Sequence, residues 1–311
     1  MCTVQNHAMN IPRSQRKPPA PPAQRRGTTD TALDASELRP GQSIALLQEL
    51  HLLTREGRLN QDARRKLKQV YHLFHFIEPL LQDCAEHGYD PVHGPTLADH
   101  GAGKSYLGFI LYDLYFKELG RGWIYGIETR PELVEKSRAL AQRLGFERMR
   151  FLNLSAAASA QAAELPERID IVTALHACDT ATDDAIDFGL QKKARAMVLV
   201  PCCQAELAAC LRHDKALHLA RTPLAELWRH PLHTREFGSQ LTNVLRCLRL
   251  EASGYQVTVT ELVGWEHSLK NELIIARYTG QKKHSAAERL HAILAEFGLE
   301  PTLGARFRIP D

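Results

Sequence analysis

The chain has 311 residues, 44% hydrophobic and 24% charged, which is ordinary for a globular protein and enough for one large domain with an appendage or for two small domains. A net charge of only +3 gives little pull on nucleic acid, so a polyanionic partner would need a local basic patch. No apolar run approaches the ~20 residues of a membrane-spanning helix, and no secretory signal with an apolar middle is read. Seven scattered cysteines, an odd number, do not read as a disulfide framework, so a reducing cytoplasm is expected.

Residues 1–40 read as a disordered, basic, Pro-rich tail. The stretch RSQRKPPAPPAQRRG has almost nothing to bury, and the first acidic residue is Asp30. An organelle transit peptide is the alternative, but the Pro-rich middle argues against its amphipathic helix. A tail that loosely attracts polyanions is expected instead.

Residues 41–90 read as a helical extension. SIALLQELHLL is one helix, and a longer one starts at Asn60, a candidate N-cap. Leu67, Val70, Tyr71, Phe74, Ile77 and Leu81 recur at helical spacing, and Pro79 is expected to kink or restart the helix. Arg64, Arg65, Lys66 and Lys68 cluster on its first turns, either as a solvated face or as contacts to a phosphate backbone.

Between residues 91 and 280 strand-like and helix-like runs alternate: PTLAD, KSYLGFILYDLYFKEL, WIYGIE, RPELVEKSRALAQRLG, MRFLNL, an Ala-rich turn of helix, IDIVTAL, ATDDAIDFGLQKK and RAMVLVP. Such alternation predicts a parallel sheet covered by helices on both faces. Two more helices follow, then QVTVTELVG and NELIIARY, joined by so short a link that they must form an antiparallel hairpin. The fold class is therefore α/β, Rossmann-like, with a mostly parallel seven-stranded sheet ending in an antiparallel hairpin. Residues 281–311 read as an amphipathic helix, HSAAERLHAILAEFGLE, and a short terminal strand at FRIP.

The stretch LADHGAGKSYLG, after the first of these strands, offers three ligands. A phosphate loop needs glycine at position 98, which is Ala98, and tolerates poorly the nearby Asp99. A dinucleotide loop needs a third glycine at position 106, which is Tyr106. S-adenosylmethionine has no phosphate and carries a cationic sulfonium, an amino group, a carboxylate and an adenosine. Gly101 and Gly103 let the backbone turn and approach such a ligand, and Asp99 sits where a carboxylate can meet its amino group. Glu128 ends the second strand, where an acid can accept bonds from both ribose hydroxyls. A lone D-x-G-x-G is weak evidence; the alternation, Glu128 and the closing hairpin, the usual ending of one type of methyltransferase, strengthen it.

ADHGAGKSYLG, GIE, TALHACDTATDDAI and VLVPCCQAEL resemble the class I S-adenosylmethionine-dependent methyltransferases over roughly residues 62–280. The nearest branch is the one containing the methyltransferase domain of the glutathione S-transferase C-terminal-domain-containing protein and its bacterial relatives. LHACDTATD is also similar to a segment of the eukaryotic tRNA 2′-O-methyltransferases, which carry a KHLCG-x-ATD run. The resemblance implies the cofactor. It departs from the family in having Ser105 where many members have a third glycine, and in offering only Asn153 and Ser155 after the third strand for the adenine.

LHACD and PCCQ end the fourth and fifth strands, at the edge where ligands bind in open α/β sheets. His176, Cys178, Asp179, Asp183, Cys202, Cys203 and Gln204 are thus candidates for one cleft. Methyl transfer is an in-line displacement in which alignment supplies much of the rate, and a base is needed only if the acceptor must lose a proton. Asp179 or His176 is the candidate base, against a structural role for the histidine and helix capping for Asp179 and Asp183. Cys202 is a candidate nucleophile, although no cation lies beside PCCQ to lower a thiol pKa. A zinc site from His176, Cys178, Cys202 and Cys203 is disfavoured because adjacent cysteine side chains diverge, so no metal is expected. HSLKN, residues 267–271, either reaches over the cleft or is a solvated turn.

The expected function is methyl transfer from S-adenosylmethionine, with RNA, tRNA included, as first acceptor and a protein or small molecule close behind. A non-catalytic binding module with the same fold is the alternative, and the set Asp99, Gly101, Gly103 and Glu128 argues against it.

Overall fold

The computed structural model describes residues 31–32, 38–175, 179–201, 205–213, 223–262 and 272–310. Most of the expected N-terminal tail lies outside these residues.

The extension opens with an unanticipated two-residue antiparallel pair, β1 (Thr31–Ala32) on β2 (Arg58–Leu59). Between them lies α1 (Ile44–Glu49), capped by Ser43, whose Oγ accepts from the Leu46 amide. The long helix α2 (Gln61–His87) begins where expected, with Asn60 Oδ1 accepting from the Ala63 amide at 2.8 Å. It continues unbroken through Pro79, contrary to the expected restart. An internal proline costs a helix ~3 kcal/mol, but each fully buried Leu or Ile returns ~1.5–3 kcal/mol. Leu73, Ile77, Leu80 and Leu81 are all buried around the exposed Pro79.

The seven-stranded sheet has the order β5-β4-β3-β6-β7-β9-β8. Its parallel part comprises β3 (Thr96–His100), β4 (Trp123–Glu128), β5 (Met149–Asn153), β6 (Ile171–Leu175) and β7 (Ala196–Val200). The expected hairpin is β8 (Tyr255–Glu261) with β9 (Glu272–Tyr278), and β9 also runs antiparallel to β7. From β3 the chain winds outward through β4 and β5, then returns to the other side of β3 as β6. That reversal makes the carboxyl ends of β3 and β6 the topological switch point, where ligands bind in such sheets.

Helices cover both faces, as parallel strands require. One face carries α2, α3 (Tyr106–Leu111) and α5 (Pro131–Arg143) over Leu97 and Ile171. The α3 helix runs on through a π-helical stretch, Tyr112–Phe116, into α4 (Lys117–Leu119). The other face carries α7 (Thr180–Gln191) over Ala98 and Val172, after the single turn α6 (Ala156–Ser159). A third cluster joins α8 (Glu206–His213), α9 (Pro231–Ala252) and α10 (His284–Glu296). Before α9 lies a 3₁₀ stretch, Pro223–Trp228.

FRIP is not a strand. The chain forms a helical turn, α11 (Glu300–Leu303), and then runs irregularly. Phe307 is 1% exposed against the third cluster, so burying one ring between helices, rather than pairing with a sheet edge, fixes this end.

Candidate cofactor site

The site is built where β3 stops. Gly101 and Gly103 have φ of 69° and 59°, which a side chain disfavours and glycine accepts freely. The Gly101 and Ala102 amides both donate to the Ile127 carbonyl, at 2.9 and 3.0 Å, stitching the loop to β4. Ser105 has φ 52° and starts α3 from a left-handed position. It stands where many relatives carry a third glycine. The close approach such a glycine would permit comes from Gly108, where an added Cβ would lie 2.5 Å from Ser105 Oγ.

Glu128 ends β4 beneath this loop. Its Oε2 accepts from the Gly103 amide at 2.8 Å, and its Oε1 from the Thr129 and Arg130 amides at 3.0 and 3.1 Å. Arg130 Nε and Nη2 close on the two oxygens at 3.0 Å each. Burial alone would raise the Glu128 pKa. The Arg130 guanidinium and the backbone N–H groups of Arg130 and Gly103 outweigh it and hold the carboxyl at about 2. Asn153, paired with Glu128 across the sheet, donates from Nδ2 to the Glu128 and Thr129 carbonyls at 3.0 and 2.9 Å. Its amide nitrogen thus fixes the turn after β4 and is not free to read an adenine.

Asp99 departs from its expected role. The side chain is buried beneath the loop, where Oδ1 accepts from the Thr173 hydroxyl of β6 at 2.9 Å. Burial pushes its pKa up to about 7. Bonded to its partner residue on β6, it ties the end of β3 to its neighbour. Next to it His100 is 5% exposed against Phe188 of α7, with neither ring nitrogen hydrogen-bonded among the described residues; burial pushes it down to about 4.

Beyond β6, Asp179 has φ 53° and ψ −120°, a conformation that costs a non-glycine residue of order 1–3 kcal/mol. Its carboxylate makes no bond to the start of its own helix, α7. Instead Oδ1 accepts from the Ala205 and Glu206 amides, at 3.0 and 3.2 Å, and so caps α8 from across the cleft. Its carbonyl accepts from Arg246 Nη2 at 2.8 Å. Asp183 is not a helix cap either. It forms a bidentate pair with Arg246 at 2.7 and 2.8 Å, and Arg246 is fully buried. Asn243 completes the network, accepting from Arg246 and donating to Glu272.

His176, Cys178, Cys202, Cys203, Gln204 and HSLKN lie outside the described residues. Among the described residues no cluster of His, Cys, Asp and Glu is placed to hold a metal. Of the described cysteines, Cys84 and Cys247 are pushed up to about 12 by burial, so neither is a thiolate at neutral pH.

Arg130, Thr173 and Arg246 were not anticipated. Arg130 carried one local signal, since R-P opens α5 two residues after the acid. Thr173 and Arg246 reach their partners across 74 and 63 residues of chain, and no local pattern announces them.

Residues 65–210 match the family described as a methyltransferase domain. No curated protein matches the chain. Among solved structures, it is similar to the Podospora anserina methyltransferase PaMTH1 bound to S-adenosylhomocysteine, at 12% identity and a TM-score of 0.43, covering 77% of this chain and 89% of that one. It is also similar to TrmK of M. capricolum with S-adenosylhomocysteine, at 11% identity and a TM-score of 0.37. There it covers 61% of this chain and spans 65% of the other. A Streptococcus thermophilus rRNA methylase matches at 11% identity and a TM-score of 0.39, over 66% of this chain and 95% of that one. Likeness at this level carries nothing about the acceptor.

The methyltransferase domain is that of an enzyme, and the methyl donor its cradle fits is S-adenosylmethionine. At Gly103 an added Cβ would meet, among the described residues, only Arg130 Nη2 at 3.8 Å and the Gly101 carbonyl at 4.0 Å. Packing therefore does not demand glycine there; the backbone turn does, and the space above it stays open to a ligand. Beneath that space lies the Glu128 carboxylate, paired with the exposed Arg130 guanidinium. Among the described residues no helix is long and apolar enough to cross a membrane.

Proposed function

We propose that the chain methylates RNA from S-adenosylmethionine bound over the Asp99–Gly103 loop, with tRNA the first substrate to try. The observation that carries the cofactor placement is the Gly103 amide bond to Glu128 at 2.8 Å, which sets the glycine turn directly above the acid. In this reading Glu128 takes the two ribose hydroxyls, Gly101 and Gly103 admit the ligand to the backbone, and Asp99 and Asn153 shape the loop and turn around it. We place the domain nearest the branch named above, and in the cytoplasm.

When bound, the cofactor supplies an electrophilic methyl group whose transfer neutralises its sulfonium. What the chain must do is align an acceptor with it and exclude water. Asp179 is positioned to hold the two loops that frame the acceptor, because its carboxylate joins the end of the β6 loop to α8. With Oδ1 committed to two amides we assign it that positioning role ahead of proton transfer. His176 is the remaining candidate base and Cys202 the remaining candidate nucleophile. An RNA acceptor is favoured by the cations of α2, Arg64, Arg65, Lys66 and Lys68, which lie on the same face of the sheet as the loop helix α3.

The test is transfer of label from S-adenosyl-[methyl-³H]methionine to total RNA from cells lacking the gene. Label in the tRNA fraction supports the reading. Label confined to protein or to small molecules replaces RNA as the acceptor.

A further inference from the structure

The seven-stranded sheet ends on β5 at one side and β8 at the other, and the two edges differ. The β5 edge is five residues long and carries the exposed Arg150, a charge of the kind that discourages pairing with another chain. The β8 edge is seven residues long and pairs with β9 in an unbroken register from Tyr255↔Tyr278 to Glu261↔Glu272. Its interior, residues 256–260, is QVTVT, with no charge, no proline and no bulge to protect it. Among the described residues no strand pairs with the outer side of β8, so that side presents a row of unpaired backbone N–H and C=O groups. Gln256 and Thr258 are exposed, and Val259 is 51% exposed.

Strand residues alternate between the two faces of a sheet. Tyr255 and Val257 pack against the cluster of Ala98 and Val172, and Val259 continues that row into solvent. The segment is nearly palindromic about Thr258, with Val257 and Val259 on either side and Gln256 and Thr260 beyond them. An identical strand, antiparallel on a twofold axis at Thr258, matches that symmetry residue for residue. It sets Val259 of each copy opposite Val257 of the other and Thr258 opposite Thr258, both favourable cross-strand pairs. The charges at the ends of the hairpin also match. Glu261 and Glu272 stand at one end. At the other, Arg277 pairs with Gln256, and the Gly280 and Lys283 amides donate to the Gly254 and Glu251 carbonyls, which brings the exposed Lys282 to the start of β8. The twofold axis therefore carries the acidic end of one copy to the basic end of the other. We infer that β8 pairs antiparallel with β8 of a second copy, so that one sheet runs through a dimer. β9, β7 and β6 separate β8 from β3, so the contact leaves the cofactor loop clear. The pairing does not depend on which ligand that loop holds.

The test is sedimentation velocity of the full chain from about 1 to about 200 μM, because a single edge strand is a small interface of the weakly associating class. The wild type is expected to pass from monomer to dimer across this range. T258K and T258E each place like charges opposite one another on the axis, and each is expected to raise the dimer Kd by at least about tenfold. An equimolar mixture of the two is expected to dimerise at least as tightly as the wild type, because the axis then joins opposite charges. That recovery also requires both variants to be folded. A wild-type chain that stays monomeric at the highest concentration overturns the inference and leaves the edge to a strand of another protein. A dimer unaffected by T258K and T258E overturns it as well, since association then uses another surface. Loss of the dimer in both variants without recovery in the mixture overturns the twofold pairing about Thr258.

Discussion

Arg130 grips both oxygens of Glu128, at 3.0 Å from Nε and 3.0 Å from Nη2, while three backbone amides donate to the same carboxylate. A carboxylate has about four lone-pair sites, and here they are all taken. Ribose hydroxyls can reach Glu128 only by displacing the guanidinium, whose side chain is 59% exposed. An exposed pair of this kind is worth up to ~1 kcal/mol, which the ligand must overcome. Arg130→Met is therefore expected to raise S-adenosylhomocysteine affinity by about fivefold, the equivalent of that energy. S-adenosylmethionine should gain equally, because the two share the ribose. A gain confined to the sulfonium ligand would show through-space repulsion instead, and calorimetry with both separates the two.

Removing the acid itself should act in the opposite direction. Glu128→Ala loses hydrogen bonds from a charged acceptor, each worth ~1.5–3 kcal/mol, so cofactor affinity should fall by more than about tenfold. The circular dichroism spectrum should not change, because β4 keeps its backbone pairing on both sides. Unaltered affinity would remove Glu128 from the site.

Asp99 is a carboxyl that burial makes reluctant to ionise. Its pKa rises from 3.8 in the unfolded chain to about 7 in the fold. Between those values the folded state holds a proton that the unfolded state has released. Stability from this group is thus full at low pH and is lost as pH rises through the window, by at most ~1.4 kcal/mol per unit. Asp99→Asn cannot ionise, so its stability advantage over the wild type should grow from about pH 4 to pH 7 and then level off. A difference in urea midpoints that stays flat across this range would show that Asp99 ionises normally.

Asp179→Asn and Asp179→Ala distinguish a clamp from a base. An asparagine oxygen still accepts from the Ala205 and Glu206 amides, whereas alanine leaves both without that partner. As a clamp, Asp179→Asn retains most turnover and Asp179→Ala loses it, along with ~1 kcal/mol of stability from the lost helix cap. As a base, both variants lose turnover alike and the acid limb of the pH–rate profile disappears. Cofactor affinity is expected to survive in each.

Arg246 and Asp183 form an ion pair whose side chains are 1% and 3% exposed. Removing only one partner strands a buried charge and typically costs ~3–5 kcal/mol. Arg246→Met should therefore destabilise strongly, and Arg246→Met with Asp183→Leu should recover much of the loss. Equal unfolding midpoints for the single and double variants would show that the pair is not coupled.

The parts of this architecture that repeat locally were legible in the sequence. Hydrophobic periodicity gave α2 and α5, alternation gave the parallel strands, and the short link gave the β8–β9 hairpin. D-x-G-x-G and Glu128 at the end of the next strand marked the glycine turn and the acid bonded to it, because glycine φ and strand-end acids are local properties. What escaped was set by contacts distant in sequence. Whether Asp99 faces a ligand or Thr173 depends on the register of β3 against β6. Asp179 looked like the cap of its own helix and caps α8 instead, across 26 residues. Arg246 sits on an apolar helix face, where only the position of Asp183 explains a charge. FRIP alternated like a strand, yet Phe307 is buried among helices of the third cluster.

The central claim is that the loop over Glu128 binds S-adenosylmethionine. It is tested most directly by titration calorimetry of the full chain with S-adenosylhomocysteine, with ATP and NADH as controls. The account predicts one site per chain for S-adenosylhomocysteine, weakened in Glu128→Ala, and no heat from either control. Binding of ATP or NADH in its place, or of none of the three, would contradict it.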